Sequence, residues 1–362
     1  MNKKISYFKL SFIALLSVAF ISALSSCDGS SDSDSWESVL DGIFVSAKFK
    51  TDSESDASGT VMEQDTYNGD GTGISNVLGS LGIILTDYPF TYFFSSVQRF
   101  VREMVLPTGV TLAETGLLSR DKSTFVMIDN DPTDPIQIDI GLGFGFKKAS
   151  STPTLTGSYE AMLIHNSSGT TNFGVSTHSY EFSADGTGTS TGASGGTAAI
   201  RYSVAADGAL EIFASIAGHE EMVAGYISQD GSYFFAVDLN RDDEFVGLQV
   251  GFKKSTGKST ASLNGTYHTA HMRNVIASDP ATNQTTVVFD GAGNATFNTA
   301  RQHTATYSVA DDGTLILLFG EAREERKGIV SPDGNLVMTV DLNVDDPDDE
   351  IISFNFYVKD ME

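Results

Sequence analysis

A chain of 362 residues holds one cysteine, one tryptophan, six histidines and eight prolines. A single thiol, Cys27, excludes an intrachain disulfide, a cysteine zinc cluster and a Cys/His catalytic pair. Basic residues are scarce as well: 22 Lys and Arg stand against 47 Asp and Glu, a formal charge of −25. Three of the basic residues, Lys3, Lys4 and Lys9, fall at the very start, so the remainder is more acidic still. Such a surface repels phosphate backbones and excludes nucleic acid as a partner. The acidity itself reads as solubility and solvated loops. What is plentiful is Thr, Ser, Val, Gly and Phe, the composition of many short strands and tight turns.

The N-terminus is a leader. Lys3 and Lys4 form a positive n-region, and Leu10 to Leu24 is an apolar run too short to cross a bilayer as a mature helix. It ends Leu24-Ser25-Ser26-Cys27, which resembles the lipobox of bacterial lipoproteins. The resemblance implies a signal peptide over 1–26, cleavage before Cys27, and a lipid on Cys27 that anchors the protein to a membrane of the cell envelope. Residues 28–35 are all Asp, Ser or Gly, so 27–38 reads as a flexible tether that lets an anchored body stand off the membrane. Asp28 resembles the inner-membrane retention signal of enteric bacteria, a rule specific to that lineage, and the choice of membrane stays open.

The rest of the chain repeats. Leu40-Asp41-Gly42-Ile43-Phe44, Leu155-Thr156-Gly157-Ser158-Tyr159 and Leu263-Asn264-Gly265-Thr266-Tyr267 open three copies whose glycines are about 115 and about 108 residues apart. The copies are expected over 39–148, 155–254 and 263–360. Copy three shows eight strand-like runs, starting near Gly265, Thr285, Asn294, Thr304, Thr314, Arg326, Asn335 and Ile351. Its last run alternates cleanly, with Ile352, Phe354, Phe356 and Val358 apolar, the period of a half-buried strand. Copy one stretches this run from Ile136 to Phe146, with Gly141, Gly143 and Gly145 on the other face.

Asp-Gly pairs recur between runs two and three (Asp70-Gly71, Asp185-Gly186, Asp290-Gly291), four and five (Asp207-Gly208, Asp312-Gly313) and six and seven (Asp230-Gly231, Asp333-Gly334). Asp-Gly suits the positive φ of hairpin turns, so all these turns lie at one end of an up-and-down meander. The fold expected is all-β: three tandem repeats of about 100 residues, each an eight-stranded up-and-down antiparallel barrel that removes its edges by closure. The alternative is a six-bladed β-propeller with two blades per repeat. The Ser/Thr/Lys-rich joints at 147–154 and 253–262 read as linkers between separate units and favour the barrels. A membrane-spanning barrel fits poorly with charged loops that interrupt short strands. The repeat resembles the lipocalin and avidin-like (calycin) barrels, which open with Gly-x-Trp and cover the Trp with a basic residue on the last strand. Tyr159, Tyr267 and Phe44 stand where those proteins have Trp. The resemblance implies that Lys253 or Lys254, and Lys359, supply the cover.

Copy one departs from the pattern between Ser75 and Thr111. Val97, Phe100, Val101, Met104 and Val105 are spaced for one helical face, which predicts a short helical insert over 96–106 that plugs the barrel or packs on copy two.

Candidate chemistry is thin. The loop between runs seven and eight is acidic in each copy, and Asp238, Asn240, Asp242, Asp341, Asn343 and Asp345 are candidate Ca²⁺ ligands because hard cations want clustered oxygens. None has the twelve-residue EF-hand spacing, so weak binding or none is expected. Gly188-Thr189-Ser190-Thr191-Gly192 matches the hydrolase elbow but has no apolar strand before it and no helix after it. His268 and His271 point to opposite faces of a strand and cannot share a metal; both are expected near the surface.

The reading is therefore a lipid-anchored, non-enzymatic envelope protein without a cofactor, periplasmic or surface-exposed. Its β-repeats would bind a small apolar ligand, a glycan or another envelope protein. A structural or adhesion scaffold is the alternative, and a hydrolase the remote one. In the barrel version the long-loop end is the mouth, and Phe354 and Phe356 are expected to face inward and line the cavity.

Overall fold

The computed structural model describes residues 36–361 apart from short stretches at 53–56, 80–83, 106–108, 110, 130–138, 168–172, 217–218, 239–244, 276–277, 300–302, 321–323 and 342–350. The leader and Cys27 lie outside the described residues. The end of the expected tether does not: Trp36–Val39 forms a 3-10 turn. It is held by the hydroxyl of Tyr92, which donates to the carbonyls of Glu37 and Leu40 at 2.9 Å each.

Barrel one is built from β1 (Asp41–Asp52), β2 (Ala57–Asn68), β3 (Thr72–Gly79), β4 (Ile84–Phe94), β5 (Arg99–Val105), β6 (Thr111–Leu118), β7 (Thr124–Asp129) and β8 (Asp139–Lys147). Barrel two follows with β9 (Gly157–Ser167), β10 (Gly174–Phe182), β11 (Thr187–Gly192), β12 (Thr197–Val204), β13 (Ala209–Ile216), β14 (His219–Ile227), β15 (Tyr233–Val237) and β16 (Phe245–Lys253). Barrel three has β17 (Asn264–Val275), β18 (Ser278–Asp290), β19 (Asn294–Phe297), β20 (His303–Val309), β21 (Thr314–Phe319), β22 (Glu324–Val330), β23 (Leu336–Asp341) and β24 (Ile351–Lys359). Neighbours in sequence pair antiparallel, and each first strand pairs with its last, so all three sheets close. The propeller is thereby overturned.

The Asp-Gly turns sit where the sequence puts them. Gly186, Gly208 and Gly231 have φ of 83°, 83° and 72°, a region open to glycine at no steric cost. Each preceding carboxylate caps its own turn; Asp185 Oδ1 accepts from Thr187 N and Asp230 Oδ1 from Ser232 N, both at 3.0 Å.

The copies are not separate units. Val45, Ala47 and Phe49 of β1, Leu142, Phe144 and Phe146 of β8, Leu248, Val250 and Phe252 of β16, and Phe354, Phe356 and Val358 of β24 join one apolar core that lies between the barrels. At its centre the Phe144 ring stacks on Phe356 (5.4 Å, 10°) and lies 5.8 Å from Phe252. Phe354 and Phe356 therefore face out of their barrel, contrary to expectation. Alternation tells which residues share a face; it does not tell which face looks inward when the outside is also dry. The same junction explains β7, β15 and β23, which are buried along their whole length and read as unbroken apolar runs. The joints add ion pairs: Lys148 reaches Asp207 at 2.8 Å and Lys254 reaches Asp312 at 3.3 Å.

The predicted helix over 96–106 is instead β5. Phe100, Arg102 and Met104 point into barrel one while Glu103 and Val105 point out, a period of two. Helical spacing arises because the inward residue at 102 is an arginine, which a hydropathy pattern counts as outward.

Candidate functional site

Counting from the opening glycines (Gly42, Gly157, Gly265) and from the serines of the turn before the seventh strands (Ser119, Ser228, Ser331) puts the three interiors in register. The same interior positions hold three different chemistries.

In barrel one, seven ionisable side chains meet across the bore. Arg102 donates to Asp65 at 2.5 Å, to Glu63 at 2.8 Å and through Nε to Glu114 at 2.8 Å. Lys48 pairs with Glu63 at 2.9 Å and also with Glu114, and Lys50 pairs with Asp129. Below this layer, Phe44, Tyr67, Phe90, Phe100 and Phe125 pack as an aromatic plug. Burial pushes the carboxyl of Asp65 up to about 6, with Arg102 opposing. Burial acts the same way on Glu63, where Arg102 and Lys48 outweigh it and hold the group below its usual range. Long charged chains that reach each other fill the barrel.

Barrel three carries other side chains at this layer. The Arg326 guanidinium lies 4.4 Å over the Phe319 ring and 3.5 Å from Asp341, Phe297 packs on Phe319 at 5.0 Å, and Tyr357 is buried beside them. His271 also faces inward, and burial followed by Arg326 and Arg273 lowers its imidazole to about 4. The surface position expected for His271 is thus corrected; His268, on the opposite face, sits 3.5 Å from Asp360.

In barrel two the seven positions equivalent to the charged layer are Leu163, His165, His178, Tyr180, Ile212, Val223 and Asp238. Six of the seven are shorter or uncharged, and none is a lysine or an arginine. Around them stand small residues, among them Ser176, Ser190, Gly192, Ala198, Ala214 and Ala236. The result is a cavity of about 990 Å³, within the range of small-molecule sites. It lies at the end opposite the Asp-Gly turns, as the meander predicts for the mouth.

One wall is an aromatic ladder on β10. Tyr180 stacks on Phe182 at 5.3 Å and 3°, and His178 on Tyr180 at 6.4 Å and 26°. The Tyr180 hydroxyl donates to Gln249 Oε1 at 2.9 Å, which fixes the ring across the bore. Burial raises the Tyr180 phenol, so it stays a neutral donor. His165 stands against Gly174, where a Cβ would fall 2.8 Å from its ring. Burial lowers both imidazoles, and His178 lowers His165 further, so the two are neutral at pH 7. The rim carries Thr197, Ser215 and Glu221. An apolar body and a few convergent polar groups suit binding.

Ser190 of the elbow-like match lies mid-strand in β11 and lines the cavity wall. Asp238 lines the same cavity, and Asp341 faces the interior of barrel three next to Arg326. Asn240, Asp242, Asn343, Asp345 and Cys27 lie outside the described residues. Among the described residues no group of three or more His, Cys, Asp or Glu is placed to hold a metal ion. The cavity residues were missed because the signal is comparative: the Gly/Ser/Ala-rich stretch 188–199 matters only when set against the charged residues of copy one.

No protein-family model matches the chain, and no curated protein matches it. Among solved structures, a double mutant of the vaccine antigen transferrin binding protein B from Haemophilus parasuis Hp5 aligns at 10% identity, over 88% of this chain and 75% of that one, with a TM-score of 0.30. Isotype 1 transferrin binding protein B from serogroup B Neisseria meningitidis aligns at 10% identity, over 88% and 76%, with a TM-score of 0.28. A protein of unknown function from the DUF3598 family of Nostoc punctiforme PCC 73102 aligns at 11% identity, over 60% and 97%, with a TM-score of 0.21. The barrel assignment stands on this chain's own strand pairing.

Proposed function

We propose that the chain is a non-enzymatic binding protein of the bacterial cell envelope, anchored through a lipid on Cys27, and that its second barrel takes up a small, largely apolar ligand. One observation carries the reading. Three barrels share one frame, and barrel two presents a cavity of about 990 Å³ at the layer where barrel one holds its seven charged side chains. An empty, apolar bore forgoes packing that the frame evidently allows, which is reasonable where a ligand supplies it. Barrels one and three then act as rigid supports through the common core.

The test is a fluorescence titration of the soluble chain from Trp36 with N-phenyl-1-naphthylamine, a neutral apolar probe. Saturable binding is expected, and it should disappear in Ala214→Phe with the fold unchanged by circular dichroism. Equal binding by the filled variant would overturn the reading.

A second reading, contact with another envelope protein, has its own observation. Ile74, Leu78, Ile84, Phe93 and Val105 leave 37–64% of their surfaces exposed on the outer face of β3, β4 and β5. An apolar patch of this kind is common at protein contacts.

A further inference from the structure

A second cleft lies across the seam between barrels one and three. Its volume is about 360 Å³, at the small end of the range for ligand sites and little more than a third of the barrel-two cavity. Ser95, Ser96 and Gln98 of the turn before β5 line it, with Arg99 of β5, Leu117 of β6 and His268 of β17.

The turn is fixed by its own bonds. The N–H groups of Ser95 and Ser96 both donate to Arg99 O, Ser95 Oγ donates to the same carbonyl at 3.2 Å, and Ser96 Oγ accepts from Arg99 N at 3.3 Å. Gln98 is left only 3% exposed, and its Nε2 donates to Lys359 O at 2.8 Å across the seam. That bond sets the orientation of the amide, because only its nitrogen can donate to a carbonyl. The buried Oε1 of Gln98 has no hydrogen-bond partner among the described residues. Neither has the buried Nδ1 of His268, whose Nε2 stands 3.5 Å from Asp360.

A buried polar atom left unpaired is costly, and two that line one cleft point to an occupant. The two atoms ask for the same chemistry. Gln98 Oε1 can only accept. His268 Nδ1 accepts when the ring is neutral with its proton on Nε2, and donates when the ring is charged. A hydroxyl donates and accepts through one atom, so it answers Gln98 and either state of His268. A hydrocarbon answers neither, and a carboxylate cannot donate to Gln98. Arg99 adds guanidinium N–H groups for a further hydroxyl oxygen, and Leu117, itself 1% exposed, adds an apolar wall for C–H groups. One water would answer the two atoms but leave most of the volume, whereas a ring bearing several hydroxyls fills it.

We propose that the cleft between barrels one and three binds a small polyhydroxy ligand of monosaccharide size, whose hydroxyls meet Gln98 Oε1 and His268 Nδ1. The site is separate from the barrel-two cavity and does not depend on the role proposed for it.

The experiment uses the chain from Cys27 onward with Cys27→Ser, and follows the Gln98 side-chain amide and the His268 ring C–H by nuclear magnetic resonance. D-glucose, D-galactose, N-acetyl-D-glucosamine and myo-inositol are titrated separately, with cyclohexanol as a ring of similar size bearing one hydroxyl. At least one of the four polyhydroxy compounds is expected to shift both signals saturably, with a Kd on the order of 1 mM for so small a ligand. Cyclohexanol should bind at least fivefold more weakly. Gln98→Met and His268→Phe keep the bulk of each side chain and should each weaken binding about fivefold, the worth of one hydrogen bond. Each is read on the signal that the variant retains, with circular dichroism unchanged. Failure of all four compounds to shift the pair would leave the cleft to water and overturn the proposal. Equal shifts with cyclohexanol, or binding that both variants leave intact, would overturn it as well.

Discussion

Lys253 Nζ stands 5.8 Å from the centre of the Tyr159 ring, and Lys359 stands 5.7 Å from Tyr267 in the same way. Each lysine ends the last strand of its barrel and each tyrosine begins the first, so the pair locks the seam where the sheet closes. This is the basic cover that the calycin resemblance implies, with Tyr in place of Trp. The tyrosine gains a second task from its hydroxyl, which donates to the turn before the seventh strand: Tyr267 to Gly334 O at 2.8 Å, and Tyr159 to Gly231 O.

Tyr267→Phe should therefore cost about 1 kcal/mol, the net value of one intramolecular hydrogen bond. Lys359→Met should cost about 0.5–1 kcal/mol through the lost cation–π contact. Urea denaturation measures both, and an unchanged midpoint for Tyr267→Phe would dismiss the hydroxyl as a clamp.

Much of this was legible beforehand, and the failures share a cause. Strand number, turn positions and closure followed from alternation and Asp-Gly pairs, which are local. Which face of β24 looks inward was not legible, because Phe356 meets Phe144, about 200 residues away in sequence. Arg102 in β5 misled for a related reason: its partners Asp65, Glu63 and Glu114 sit on other strands, so nothing local marks it as buried. The cavity was hidden because it is made by what Leu163, Ile212 and Val223 fail to fill.

The junction makes the barrels interdependent. Phe144 is buried among Phe356, Phe252 and Tyr233, so Phe144→Ala should cost about 3–5 kcal/mol, as for other large-to-small core changes. Unfolding should remain one transition, with no barrel melting alone. Solution scattering on the chain from Trp36 should give a radius of gyration of about 20 Å, from compact-domain scaling. Separate transitions, or a radius above roughly 25 Å, would show the barrels to be independent beads.

Arg102 is the hub of the charged layer in barrel one. Arg102→Met takes a guanidinium from three buried carboxylates at once, leaving Lys48 to Glu63 and Glu114 but no ion-pair partner among the described residues to Asp65, and should cost about 3–5 kcal/mol, the penalty of stranding buried charge. Replacing it by Lys should recover little, since an ammonium cannot divide a planar fork among Asp65, Glu63 and Glu114. Chemical denaturation of both variants decides it, and a Lys variant as stable as the parent would remove the argument from geometry.

His271 sets part of the acid limit. Its imidazole titrates at about 4 in the folded chain against about 6.5 unfolded, because burial and the two neighbouring guanidiniums disfavour its charge. Between those values the unfolded chain binds the extra proton, so stability falls as pH falls, by about 2 kcal/mol at pH 5 from this group. His271→Gln should flatten the decline between pH 6.5 and 4. An equally steep decline in the variant would assign the acid loss to other groups.

The cavity histidines give ligand binding its own pH dependence. Burial holds His165 and His178 below the ordinary histidine value in the empty barrel, and an apolar occupant displaces the water that would solvate their charged forms. The ligand therefore binds the neutral forms preferentially, and any histidine already charged must lose its proton first. Affinity should be level above pH 7 and fall as pH drops through the empty-state values, which lie below 6.5. The limit is about tenfold per pH unit for each histidine that titrates. Glu160 works in the opposite sense on His178, favouring its charge. N-phenyl-1-naphthylamine affinity measured from pH 7.5 to 5 reads this directly, and His165→Asn with His178→Asn should level the curve. A curve that stays flat in the parent, or stays steep in the double variant, would detach the histidines from ligand uptake.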